Sequence, residues 1–86
     1  MKNQLPAITL TEGLLKASIW KNIGEDGAPR YSVTFSRSYF KDDEWHTSYS
    51  YSRSELLRMA RLSQRAFDWI VDTRRADRAQ NTKEAG

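Results

Sequence analysis

Three short stretches rich in β-formers precede a single helical stretch, and that order limits what the chain can become. The stretches are Leu14 to Ile23, Arg30 to Phe40 and Glu44 to Tyr51. Eight of the ten aromatic residues lie in them: Trp20, Tyr31, Phe35, Tyr39, Phe40, Trp45, Tyr49 and Tyr51. One helix covers one face of a small sheet. The other face must meet water, a second subunit or a ligand.

The strand signal is period-2 alternation, which places alternate side chains on opposite faces. In the first stretch Leu15, Ala17, Ile19 and Ile23 fall on one side, and Lys16, Ser18, Trp20 and Asn22 on the other. In the second, Tyr31, Val33 and Phe35 alternate with Arg30, Ser32, Thr34, Ser36 and Ser38. The third sets Trp45, Thr47, Tyr49 and Tyr51 against His46, Ser48 and Ser50. Gly24-Glu25-Asp26-Gly27-Ala28-Pro29 has strong turn chemistry, and Lys41-Asp42-Asp43 reads as a short hairpin loop. Two consecutive hairpins make an antiparallel meander. Ile8-Thr9-Leu10-Thr11 alternates too and suits a short edge strand, limited by Pro6 and Gly13.

Ser52-Arg53-Ser54-Glu55 marks a helix start. The Ser52 hydroxyl is expected to accept from the Glu55 N–H, and the Glu55 carboxylate to reach back to the Ser52 N–H. Leu56, Ala60, Ser63, Phe67 and Ile70 then recur at helical spacing. A second line of Met59, Leu62, Ala66 and Trp69 widens the apolar stripe beyond what one sheet face covers. A twofold mate pairing through this second line would cover it. The expected fold is therefore α+β: an antiparallel β-meander of three to four strands, one long C-terminal amphipathic helix, and a homodimer. Its divisions are an N-terminal arm over 1–13, a β-β-β-α domain over 14–76 and a disordered polar tail over 77–86.

At 86 residues this is one domain, of a size that buries only roughly 60% of its unfolded surface. Oligomerisation is a common source of the missing stability. No cysteine is present, which excludes disulfides and thiolate metal sites. No apolar run approaches the roughly 20 residues of a membrane span, and Met1-Lys2-Asn3-Gln4-Leu5-Pro6 lacks a signal-peptide apolar region. A soluble, cytoplasmic protein with no membrane partner is expected.

Net charge is +3. Residues 14–52 balance five bases with five acids, whereas residues 53–80 carry seven arginines against four acids. The excess base sits on the helix, as a polyanion-binding face or as a solvated face with ion pairs.

Catalysis is not expected. His46 is the only histidine. The Glu25/Asp26 and Asp42/Asp43/Glu44 loops fall at opposite ends of the second strand, over ~30 Å apart at ~3.3 Å per residue. That is too far for an acid/base pair in one subunit. There is no Gly-rich phosphate loop and no zinc-finger spacing, so no cofactor or metal is expected.

What remains is a binding surface. Hydroxyls and bases contact phosphates, and aromatic faces stack unpaired bases. The candidate nucleic-acid-binding residues are Lys16, Ser18, Trp20, Lys21, Arg30, Thr34, Ser36, Arg37, Tyr39, Phe40, Lys41 and His46. His46, Ser48 and Ser50 are expected on the open face beside Trp20.

Tyr31-Ser32-Val33-Thr34-Phe35-Ser36-Arg37-Ser38-Tyr39, the turn Lys41-Asp42-Asp43-Glu44-Trp45, and Ser48-Tyr49-Ser50-Tyr51-Ser52 followed by Ser54-Glu55-Leu56-Leu57 together carry a resemblance. The stretch from Lys16 to Ile70, about two-thirds of the chain, resembles the transcriptional coactivator family called positive cofactor four. Its bacterial and phage relatives bind single-stranded DNA. The family's lysine- and glycine-rich approach to the last strand is here His46-Thr47-Ser48-Tyr49. The resemblance implies a helix-paired dimer that lays single strands across its sheets with little sequence preference, in a transcription or replication accessory role. The alternative is a small protein-binding module, or a phage- or plasmid-borne inhibitor. It would act through a sheet edge or the arginine-rich helix.

Overall fold

The structure, a computed structural model, describes the backbone of residues 4–85 and the side chains of residues 4–78. Four strands precede one helix: β1 (Ile8–Glu12), β2 (Leu15–Ile23), β3 (Pro29–Lys41), β4 (Glu44–Ser48) and α1 (Arg53–Ala85). The sheet is antiparallel with order β1-β2-β3-β4. The α+β meander-and-helix architecture is as the sequence predicts, with Ile8-Thr9-Leu10-Thr11 in a fourth strand. No helix among the described residues is long and apolar enough to cross a membrane.

Leu15, Ala17 and Ile19 are buried, and α1 closes over them with Leu62 and Ala66. Leu10, Val33, Phe35, Tyr51 and Met59 pack around this centre. The Leu15/Ala17/Ile19 and Tyr31/Val33/Phe35 face is therefore the helix-covered one, as expected. The helix runs in the same direction as β2, mainly over β1 and β2. Its first half is pinned to the end of β1: Arg65 donates to the Thr11 carbonyl at 2.7 Å and to Glu12 at 2.8 Å, and Arg61 lies 3.4 Å from Glu12. Its second half meets β2 and β3. Trp69 packs edge-on against Tyr31, with ring centroids 6.1 Å apart, and Asp77 lies 3.7 Å from Lys21.

Several expectations change. Residues 8–12, within the expected N-terminal arm, form the edge strand that their alternation suggests, because Ile8 and Leu10 face Ile19 and Ala17 across the ladder. The helix does not stop near Ala76. It continues to Ala85, and Asp77 is tied to the sheet by Lys21 and the Tyr31 hydroxyl. For the expected polar tail, the side chains of residues 79–85 and the whole of Gly86 lie outside the described residues, as do residues 1–3 of the expected arm. The last strand ends at Ser48, three residues early, and Tyr51 turns onto the core.

The helix stripe assigned to a dimer is also corrected. Leu62 and Ala66 are fully covered by the sheet, Met59 packs against the core and Trp69 against Tyr31. The other line is the outward one, with Leu56 54% and Phe67 64% exposed.

The cap forms by a variant of the expected pattern. Glu55 Oε1 accepts from the Ser52 N–H at 2.8 Å, the predicted half. The Glu55 N–H donates to the Ser52 carbonyl at 2.9 Å, while the Ser52 hydroxyl donates to Glu55 Oε1 at 3.1 Å. These bonds favour the charged carboxylate. The Ser52 backbone N–H is the largest influence holding the Glu55 pKa below its ordinary value, aided by the Ser52 hydroxyl and Arg37.

Candidate nucleic-acid interface

β2 and β3 stop pairing at Leu15↔Arg37, and β3 and β4 pair only from Arg37↔Ser48 to Lys41↔Glu44. The β3–β4 hairpin therefore projects past the end of β2 as a two-stranded arm. The helix begins level with the base of this arm, where Arg37 lies 3.5 Å from Glu55 and donates to the Ser50 carbonyl at 3.1 Å.

Each face of the arm carries a pair of rings. On one, Phe40 and Trp45 meet edge-on at 5.3 Å. On the other, Tyr39 stacks on His46 at 5.1 Å and 21°, with the Arg37 guanidinium 5.3 Å from the Tyr39 ring. Phe40 is 57% and Trp45 64% exposed. Cross-strand aromatic pairs of this kind are worth about 0.2–1 kcal/mol to a ribbon. The exposure of Phe40 and Trp45 also leaves ring surface on which a ligand can stack.

Partners in an antiparallel ladder share a face, so the register sorts every candidate. Lys16, Ser18, Trp20, Arg30, Thr34, Ser36 and Phe40 lie on the open side of the sheet. Lys21, Arg37, Tyr39, Lys41 and His46 lie on the helix side. The expectation that His46 and Ser48 share the open face with Trp20 is thus corrected, and Ser50 lies past the end of β4. The cause is the turn. Asp42 and Asp43 alone form it, with φ of 54° and 61°, so Lys41 pairs with Glu44. A loop that also includes Lys41 is one residue too long, and a one-residue slip inverts every side chain of the strand.

The same slip hid Trp45, the functional candidate that sequence reasoning missed. Tyr39 and His46 remain together with Arg37, but on the reverse of the arm. Lys21 lies apart from the rest, paired with Asp77 with its ammonium 6.0 Å from the Tyr31 ring.

On the open face Trp20 is held in place. Its indole N–H donates to Thr34 Oγ1 at 3.0 Å, turning the ring across β3. Lys16 pairs with Ser36, Ser18 with Thr34, Trp20 with Ser32 and Asn22 with Arg30. From Arg30 to Phe40 this surface runs roughly 33 Å at ~3.3 Å per residue. It is lined by hydroxyls and carries aromatics toward both ends. Arg30 at one end pairs with Asp26 at 3.2 Å.

No family model matches the chain, and no curated protein or solved structure matches it.

Proposed function

We propose that the chain is a non-catalytic, dimeric protein that binds single-stranded nucleic acid, DNA foremost, with little sequence preference. A cytoplasmic transcription or replication accessory role fits that chemistry. The observation that carries the reading is the continuity of two surfaces. The uncovered sheet face runs without interruption onto the Phe40/Trp45 face of the arm, bringing three aromatics, Lys16 and a row of hydroxyls onto one strand-shaped surface. Stacking on such rings is worth roughly 1–3 kcal/mol per base and tolerates any sequence, while Lys16 and the hydroxyls contact the backbone. The resemblance in element order to positive cofactor four supports the same reading.

Titration with a labelled single-stranded oligonucleotide of about 20 nucleotides, followed by tryptophan quenching at low and moderate salt, tests it. Salt-sensitive binding that weakens in both Trp20→Ala and Trp45→Ala is expected. Binding unchanged in both overturns the surface assignment.

The dimer would use the outward helix line, Leu56, Ala60, Phe67 and Val71. Among the described residues only five hydrophobics are buried, and a second copy presenting the same line would bury this one symmetrically.

The β4 edge favours a second reading. Glu44–Ser48 is an outer strand with an unpaired side, next to an acidic tip at Asp42-Asp43-Glu44. That is a template for strand addition by a protein partner. Absence of oligonucleotide binding at low salt, by folded protein, would favour it.

A further inference from the structure

The open face is nearly neutral, yet a single strand is a polyanion, and the helix holds the excess positive charge. The fold brings part of that charge to where the open face ends. The β2–β3 loop, residues 24–28, packs beside the second half of α1. Between them lies an open cleft of about 440 Å³ with Arg30 and Tyr31 on the sheet side and Arg74 and Ile70 on the helix side. Arg74 also borders a neighbouring hollow of about 190 Å³ on the side of the β2–β3 loop, away from the Phe67/Val71 line given to the dimer, and Arg78 lines it too.

The two carboxylates here are already engaged. Asp26 pairs with Arg30 at 3.2 Å and accepts from the Ala28 N–H at 3.0 Å. Asp77 accepts from the Tyr31 hydroxyl at 2.9 Å and lies 3.7 Å from Lys21. Among the described residues Arg74 has no ion-pair partner. An arginine fork left open beside the β2–β3 loop cleft matches a phosphodiester, whose oxygens it takes two at a time.

We propose that Arg74, with Arg30 and Arg78 beside it, is a phosphate-holding site for the single strand after it leaves the sheet. The site rests on the strand-binding reading above. Arg30 joins the two surfaces, because its register places it on the open face and it also lines the cleft. Bases would stack along Trp45, Phe40 and Trp20, and the backbone would then pass the β2–β3 loop onto the helix. Affinity and base contact are thereby divided between helix and sheet, and a neutral sheet is what such a division requires.

The test measures anisotropy of labelled oligothymidylates of about six and 20 nucleotides against salt, the shorter one matched to the open face. The variants are Arg74→Gln, Trp20→Ala, Trp45→Ala and, as an equal charge loss at the other end of the helix, Arg53→Gln. Circular dichroism first confirms that each is folded. Arg74→Gln is expected to weaken the 20-mer about three- to tenfold at low salt and to reduce the slope of log affinity against log salt by about 0.7, one single-strand phosphate. The six-mer should change less than about twofold, and Arg53→Gln should leave both lengths unchanged. Equal losses from Arg74→Gln and Arg53→Gln would overturn the site, leaving only general electrostatics. So would full competition by a polyglutamate peptide of equal charge, which would make the cleft an acidic-peptide site. The two proposals fail separately. Loss in Trp20→Ala with none in Arg74→Gln removes the cleft alone, whereas loss of the 20-mer in Arg74→Gln with none in either Trp20→Ala or Trp45→Ala removes the sheet surface and leaves a phosphate site on the helix.

Discussion

The Tyr31 hydroxyl donates to Asp77 Oδ2 at 2.9 Å, joining residues forty-six positions apart. This bond, with the edge-on contact between Tyr31 and Trp69, fastens the second half of the helix to the end of the sheet beside the β2–β3 loop. With the Lys21–Asp77 ion pair at 3.7 Å, it sets the spacing of sheet and helix at the cleft beside Arg74.

Tyr31→Phe should therefore keep the ring contact and lose the bond. A destabilisation of about 1 kcal/mol is expected, read as a melting-temperature drop of about 4–8 °C for a domain this size. The bond also has a pH signature. Burial first, and the bond to Asp77 second, hold the Tyr31 pKa above its ordinary 10.0. The folded state thus favours the neutral phenol. Its contribution is complete below pH 10 and is lost as pH rises through the folded value. Thermal melts between pH 9 and 11 should fall more steeply for the parent than for Tyr31→Phe. Tyr51 shares the upward shift, through burial first and then its neighbour Tyr49, so some alkaline loss should survive in that variant.

Glu55 gives the opposite sign. Its folded pKa lies below the ordinary 4.5, chiefly because it accepts from the Ser52 N–H. The contribution is complete above pH 4.5 and is lost as pH falls through the folded value. Melting temperature followed from pH 6 to 3 should drop in the parent. Glu55→Gln, which keeps the shape but not the charge, should show a flatter acid limb. Parallel limbs would remove Glu55 from the acid response.

The β3–β4 turn offers a gain. Asp42 and Asp43 both adopt positive φ, the pattern of a two-residue turn that favours Asn-Gly or Asp-Gly. Asp tolerates this region, but Gly enters it without a Cβ penalty. Asp43→Gly should stabilise the arm. The gain in global stability should be about 1 kcal/mol or less, against the penalty of ~1–2 kcal/mol for a left-handed residue. Hydrogen exchange should slow at the Tyr39 and His46 amides, a pair that bonds across the ladder. Faster exchange would mean that the Asp43 side chain supports the turn in a way its backbone does not reveal.

How much of this was legible depended on whether a signal was local. The alternation of Leu15, Ala17 and Ile19 identified the buried face correctly, because nothing distant competes with a clean period of two. Ser52 and Glu55 marked the helix start for the same reason. The arm's faces hung on one residue, since counting Lys41 in the turn or out of it sends Trp45 and His46 to opposite sides. The helix was harder still. Its two apolar lines, through Leu62 and through Phe67, lie about 100° apart on the wheel, and either is compatible with a sheet. Arg61 and Arg65 holding Glu12 from one side orient the helix, and that is a tertiary fact. The arginine cleft needed the β2–β3 loop and residues 70–78 to be seen together.

The choice between the two helix lines can be read by substitution. Leu62→Ala removes a fully buried side chain beside Leu15 and Ala17. It should cost about 2–5 kcal/mol, enough to unfold much of so small a domain. Phe67→Ala removes a ring that is 64% exposed in the single chain, so a monomer should lose much less. If two copies meet through Leu56, Phe67 and Val71, however, Phe67→Ala should convert dimer to folded monomer, and sedimentation velocity should show the mass halve while the circular dichroism spectrum persists. The stability lost should then depend on protein concentration in the parent and not in the variant. A parent that sediments as a monomer at tens of micromolar removes the dimer. A Leu62→Ala variant that melts with the parent removes the helix orientation itself.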